Sequence, residues 1–441
     1  MEEGVWRDPE ELWQAPEWLL TPAERRRLKA MIVLLTVWTG VYVLHQWPWL
    51  RWGILALSGL TLVYLTWLFQ GEPEVSPSLK LTGSGIPTVS LLIPAKNEAG
   101  VLARLLVSIA ELDYPHSHLD VWVVDDGSTD GTGEVLAALQ ERYEWLHVHR
   151  RAPGAGGGKS GALNEVLPLT VGSVVAVFDA DAQLPRDLLQ RALPLLQSKP
   201  GVGAVQVRKA ISNAEVNAWT AGQAAEMILD AYFQQQRVAV GGFGELRGNG
   251  QLVYRSLLLR CGGWNEGTLT DDLDLSFKLH LAGAEIAFLW DPPVWEEGVT
   301  TGLRLWHQRN RWAEGGYQRF LDYWPGIVGK QLSGIKRLDL GVFFLHQYVL
   351  PMALVPDLFW AWQLDQQPLL WPLGVVAYLS MVWALWSGLR QGNDSWSWGM
   401  LKTLLLTLVY MLHWLPVMMV TTARMCVQPK RLHWVKTQHG S

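Results

Sequence analysis

Apolar and polar positions divide the chain into three parts. Two apolar stretches, 30–45 and 53–69, lie near its start, and three more, 342–364, 369–389 and 400–421, near its end. Each approaches the ~20 apolar residues with which a helix crosses a bilayer. Between the first two, Gln46, Trp47, Pro48, Trp49, Arg51 and Trp52 form an aromatic connector of the kind that seats a helical hairpin at the interface. About 29 mostly polar residues precede the first stretch, far more than the charged head of a secretory signal, so it reads as a retained span. Arg25, Arg26, Arg27 and Lys29 flank it and predict a cytoplasmic start, with the hairpin returning at Gly71. Pro351, Pro356 and Asp357 predict that the 342–364 stretch is broken or partly re-entrant. The basic tail (Arg424, Lys430, Arg431, His433, Lys436) also favours the cytoplasm, which five simple spans would not allow. One C-terminal segment, the one with the prolines, is therefore expected not to cross fully.

From residue 72 to about 340 the pattern changes to short runs separated by turn residues. The runs 88–93 (TVSLLI), 119–124 (LDVWVV), 174–178 (VVAVF) and 203–207 (GAVQV) predict buried strands, the first stopped by Pro94. Helical spacing fills 100–112, 132–142, 185–196 and 273–281. This alternation predicts an α/β domain whose mostly parallel sheet is covered on both faces. The chain thus divides into a hairpin segment (1–71), a globular domain (72–298), interfacial amphipathic helices (299–340), and a C-terminal membrane region with tail (341–441).

Composition agrees with this division. Only 17% of the residues are charged, against roughly 25% in a soluble domain, and 26 Trp outnumber Tyr and Phe combined. A net charge of −5 is a poor match to nucleic acid, and two Cys make no disulfide scaffold.

Ligands bind such sheets beyond the carboxyl ends of the strands. Asp126 and the pair Asp179 and Asp181 stand there. Two carboxylates two residues apart at a turn can share one divalent cation, which in turn bridges phosphate oxygens; each motif alone is equally compatible with solvated turn aspartates or helix caps. Gly154–Ser160 nearly fits a P-loop, but Pro153 occupies the first glycine position. The segment instead reads as an amide-rich loop carrying one cation, Lys159, suited to a diphosphate. Thr270-Asp271-Asp272 precedes a helix, and Gln308-Arg309-Asn310-Arg311-Trp312 lies on an amphipathic one with Trp306, Phe320 and Trp324.

PAKNE (94–98), DDGSTD (125–130), DAD (179–181), TDD (270–272) and QRNRW (308–312), in this order, resemble the membrane-embedded family 2 glycosyltransferases. That group includes cellulose, hyaluronan and poly-N-acetylglucosamine synthases and lipid glucosyltransferases, and the resemblance covers about 87–324 and the flanking spans. It implies an inverting enzyme with a GT-A nucleotide-sugar-binding domain, a UDP-sugar donor, and Mg²⁺ or Mn²⁺. By that resemblance Asp272 is the general base, and Asp271 stands where the family usually has Glu. Asp126 contacts the uracil with Pro94, Lys96 and Glu98 nearby, Lys159 lies near the diphosphate or base, and Asp179 faces ribose and metal. Asp181 ligates the metal, Gln308 and Arg311 hold the pyrophosphate, and Trp312 is a platform for the acceptor. The tail 434–439 resembles a C-terminal motif that approaches the nucleotide. The TDDLDLS run (270–276) with this N- and C-terminal membrane layout most resembles cyanobacterial-type β-monoglucosyldiacylglycerol synthases. The partners implied are UDP-glucose, diacylglycerol or another membrane lipid acceptor, and the lipid bilayer. A processive polysaccharide synthase and a non-catalytic nucleotide-binding scaffold or transporter are the alternatives.

Overall fold

A seven-stranded sheet carries the central part of the chain. In the computed structural model, which describes residues 13, 25–73, 86–391 and 397–428, its strands are Val89–Ala95 (β1), Leu119–Asp125 (β2), Leu146–Arg150 (β3), Val174–Val177 (β4), Val202–Ile211 (β5), Gln251–Tyr254 (β6) and Glu285–Glu296 (β7). Their order is β3-β2-β1-β4-β6-β5-β7. β1 runs parallel to β2 and β4, β2 to β3, and β5 to β7, whereas β6 is antiparallel to both neighbours. The middle strands are aliphatic because both faces are covered: Leu91, Leu92, Ile93, Val121, Val123 and Ala176 are all fully buried.

Several expectations need correction. Pro94 does not stop the first strand; Pro94 and Ala95 pair in register with Val124 and Asp125. The pattern reading passed over β6, β7 and the helix Ala218–Ala239, and β3 falls on the short, half-polar run at 146–149. That helix opens with a capping box, in which the Asn217 side chain accepts from the Trp219 and Thr220 amides. Its buried face includes Glu226, Gln234 and Arg237, so no clean apolar stripe marks it.

Among the described residues five helices are long and apolar enough to cross a membrane: Arg26–Gln46, Arg51–Leu68, Gly334–Gln363, Trp371–Arg390 and Trp398–Val427. The prolines do not end the third: a π-type turn at Leu345–Val349 precedes Pro351, and the helix continues through Pro356 to Gln363. The interruption falls in the fifth, between Trp398–Met411 and Trp414–Val427. The tail at 434–439 lies outside the described residues.

The sheet domain and the apolar helices are joined by a buried ionic network. Glu245 pairs with Arg319 (2.6 Å), Arg247 (3.0 Å) and Arg237 (3.2 Å), and accepts from Gln234 Nε2 (3.0 Å). Arg237 in turn reaches Asp339 (2.9 Å), which also accepts from Tyr64 Oη (2.8 Å) and the Phe243 amide (2.7 Å). Burial disfavours the Glu245 carboxylate, but Arg319, Arg247 and Arg237 outweigh it and hold the group far below the usual range. Removing one partner from a buried ionic cluster costs about 3–5 kcal/mol, since the remaining charges stay buried. Glu245→Gln should therefore lower the thermal midpoint in detergent by several degrees. Arg186→Gln, which breaks a pair exposed on both sides, should change stability by less than about 1 kcal/mol and leave the midpoint near that of the parent.

Candidate active site

The loops after β1 and β2 are stitched together by their own side chains. The Ser128 amide donates to Asp125 Oδ1 (2.9 Å), the Asn97 amide to Ser128 Oγ (2.8 Å), the Thr129 amide to Asn97 Oδ1 (2.7 Å) and the Glu98 amide to Thr132 Oγ1 (2.8 Å). Most of the DDGSTD motif is thus a turn scaffold, and Asp126 is the residue it presents. Arg151, just past β3, makes a close ion pair with Asp126, and Lys96 Nζ lies 3.3 Å from it.

β4 delivers the next pair. The Asp179 amide donates to Asn249 Oδ1 (3.3 Å), and its carboxylate meets Lys159 Nζ at 2.6 Å. Lys159 sits in the first turn of the helix Gly158–Val166, where exposed amides and the dipole favour anions. Burial raises the Asp179 carboxyl, yet Lys159 with Lys209 and Arg311 brings it below its ordinary value. Asp181 accepts from the Glu297 amide (2.9 Å) and is pushed up to about 7 by burial, Glu296 and Asp179. Among the described residues no three His, Cys, Asp or Glu side chains form a ready metal cluster. Asp179 and Asp181 offer two carboxylates, the number with which Mg²⁺ commonly binds when phosphates and water complete its shell.

Asp271 and Asp272 open the helix Asp271–Leu281, and Asp272 is pushed up to about 6, first by burial and then by Asp271, with Lys159 pulling the other way. Gln308, Arg311 and Trp312 approach on the helix Gly302–Val328. Burial works against the Arg311 charge while Asp179, Asp271 and Asp272 support it. Beneath Trp312 lies the Arg309 guanidinium, 4.1 Å from the ring centroid, and Lys209 Nζ lies 5.3 Å from it. Arg309 is buried against Glu226, which also accepts from Trp414 Nε1 (2.7 Å) and Tyr410 Oη (3.0 Å).

Pro94, Lys96, Glu98, Asp126, Lys159, Asp179, Asp181, Asp272, Gln308, Arg311 and Trp312 all line one cavity of about 590 Å³. Sequence reasoning missed Arg151, Lys209, Glu296 and Arg309, since a lone charge beside a strand end or inside a basic motif carries no distinct signal. It also missed the extent of the cavity, which runs on past Phe233 to Leu65, Val342 and Met381 of the apolar helices.

Residues 87–315 match the family described as glycosyltransferase-like family 2. The β-monoglucosyldiacylglycerol synthase of Synechocystis sp. is 50% identical over 430 residues, covering 95% of this chain and 89% of its own length. The synthase of that name from Nostoc sp. is 49% identical over 424 residues, covering 94% and 89%. Among solved structures, the mannosyltransferase PcManGT from Pyrobaculum calidifontis, in complex with GDP-Man and Mn²⁺, is similar in fold. Its TM-score is 0.55 at 23% identity, covering 88% of this chain and 99% of that one.

One contact fixes where the Thr270-Asp271-Asp272 turn stands. A Cβ added at Gly315 would lie 2.3 Å from Thr270 Oγ1 and 2.5 Å from its Cγ2. Overpacking of this kind costs about 1–3 kcal/mol. Gly315→Ala should lower the thermal midpoint in detergent, whereas alanine at open Gly374 should not; equal midpoints would mean that the turn gives way freely.

Proposed function

The chain belongs to the family 2 glycosyltransferases and has their GT-A fold, and from that premise we propose that it moves glucose from UDP-glucose to the free hydroxyl of 1,2-diacylglycerol. The product is β-monoglucosyldiacylglycerol. The observation that carries the acceptor class is the continuity of the cavity. One end is lined by the charged residues after β1, β2 and β4, and the other by side chains of the apolar helices. A water-soluble donor and a bilayer-soluble acceptor need such a shared space. Relatives about half identical over most of the chain bear the name of this reaction. The enzyme is proposed to be multi-pass, with residues 72–298 as its catalytic domain at the cytoplasmic face.

In this reading Asp126, with Pro94, Lys96 and Glu98, holds the uracil. Arg151 fixes the Asp126 carboxylate from behind. Asp179 and Asp181 are the ligands of Mg²⁺ or Mn²⁺, which when bound neutralises diphosphate charge. Asp272 takes the proton of the acceptor hydroxyl. The hydroxyl oxygen bonds to the anomeric carbon as the bond from that carbon to the β-phosphate oxygen breaks, and its electron pair leaves with UDP. Arg311, Lys159 and Gln308 stabilise that leaving charge. A single displacement converts an α-linked donor to a β-glycoside. Trp312, stacked over Arg309, is the flat surface beside the acceptor.

Purified protein with Mg²⁺, diacylglycerol and a panel of radiolabelled UDP-sugars should give one chloroform-soluble product, with UDP-glucose. An insoluble or high-mass polymer would instead favour a polysaccharide synthase. Asp272→Asn should reduce turnover by about 10²–10⁴ while UDP binding persists. Unchanged turnover would remove Asp272 from the role of base. Asp181→Ala should weaken metal-dependent UDP binding, and EDTA should act likewise on the parent. Because Asp272 acts ionised and its carboxyl lies at about 6, kcat should be level above pH 7 and fall as pH drops through 6. A profile flat down to pH 5 would contradict the assignment.

A further inference from the structure

The apolar arm of the cavity borders the π-type turn Leu345–Val349 inside the helix Gly334–Gln363. Such a turn inserts a residue into the helical ladder and redirects side chains, and it recurs at functional sites. Here His346 and Gln347 line the cavity. His346 Nδ1 lies 2.9 Å from the Val342 carbonyl oxygen, which can only accept. In the neutral imidazole Nδ1 therefore carries the proton, and Nε2 keeps a lone pair. That Nε2 is buried and has no hydrogen-bond partner among the described residues.

A polar group held unpaired among apolar helices is costly and marks function more often than packing. Apolar side chains flank this arm: Val342 and Phe233 both pack against the cluster that holds Leu65, with Gln347 and Tyr348 also lining the cavity. An unpaired acceptor nitrogen in a largely apolar arm fits a ligand that carries a hydroxyl on an apolar body. Diacylglycerol has that chemistry, with its hydroxyl as its single hydrogen-bond donor.

Resting on the lipid-acceptor reading above, we propose that this arm is the entry subsite for the acceptor lipid. His346 Nε2 accepts a hydrogen bond from its hydroxyl, and Leu65, Phe233 and Val342 flank its acyl chains. The lipid docks there before its hydroxyl reaches Asp272 in the same cavity.

Initial rates with 1,2-dioleoylglycerol in mixed micelles test this. His346→Leu should raise KM for dioleoylglycerol about five- to tenfold, as expected for one lost hydrogen bond, with KM for UDP-glucose within twofold of the parent. His346→Gln, which restores an acceptor oxygen, should recover most of that loss. Parent-like KM for dioleoylglycerol in His346→Leu, or equal rises for both substrates, overturns the proposal. Photolysis of the unsubstituted protein with a diazirine-bearing diacylglycerol gives a reading that no variant can confound by misfolding. Label on peptides from 342–347 supports the subsite, and label confined to other helices overturns it. An unsubstituted enzyme that transfers glucose to no diacylglycerol overturns the acceptor reading and this subsite together. Transfer by the unsubstituted enzyme with an unmoved KM in His346→Leu overturns the subsite alone.

Discussion

Glu245 is one buried carboxylate facing three guanidinium groups, and the relation of the sheet domain to the apolar helices depends on it. Desolvating such a group is expensive, and the cost is offset only if every partner is held in place. The partners come from different elements: Arg237 from Ala218–Ala239, Arg319 from Gly302–Val328 and Arg247 from the approach to β6. Arg237 passes the constraint on to Asp339 and Tyr64, each on an apolar helix. Paired charges drawn from several elements fix relative position more sharply than apolar contact, which tolerates sliding. Arg247 lines the cavity as well, so the joint and the site share a residue.

The site itself is built from alternating charge. Lys159 pairs with Asp179 and feels Asp271 and Asp272, and Arg311 faces the same three carboxylates. A diphosphate entering such a cluster exchanges carboxylate partners for phosphate partners without leaving a cation bare. Asp181 differs, because burial and its acidic neighbours disfavour its charge. A divalent cation between Asp179 and Asp181 would reverse that preference, which is the physical sense of two carboxylates at adjacent outward positions.

The legible parts of the chain were those in which local chemistry and tertiary role coincide. β1, β2 and β4 are aliphatic because both faces are covered, and the residues directly after them face the site, so run and motif could be read together. β6 and β7 were not legible. β6 begins with the buried amide Gln251, and β7 contains Asp291-Pro292-Pro293. The helix Ala218–Ala239 hides its pattern because its buried positions include ionic groups of the joint. Tryptophan shows both outcomes. Trp49, Trp52, Trp362 and Trp398 are 67%, 71%, 76% and 75% exposed, as rings at a membrane interface would be in the bare protein. Trp13 and Trp264 are 1% and 2% exposed and belong to the core of the sheet domain.

The helix Gly302–Val328 is where these constraints meet. Its positions 308, 311 and 312 line the site, and position 319 enters the Glu245 joint about two turns later. Between them Gly315 and Gly316 leave room that side chains would fill. A Cβ at Gly315 would strike Thr270, and one at Gly316 would lie 2.4 Å from Tyr348 Oη. The helix therefore lies between the turn that carries Asp272 and the π-type turn of an apolar helix, close to both. This one helix therefore links an apolar helix to the residues beside Asp272. Lipid-facing and water-facing chemistry are thereby kept in register by two missing side chains and one buried carboxylate.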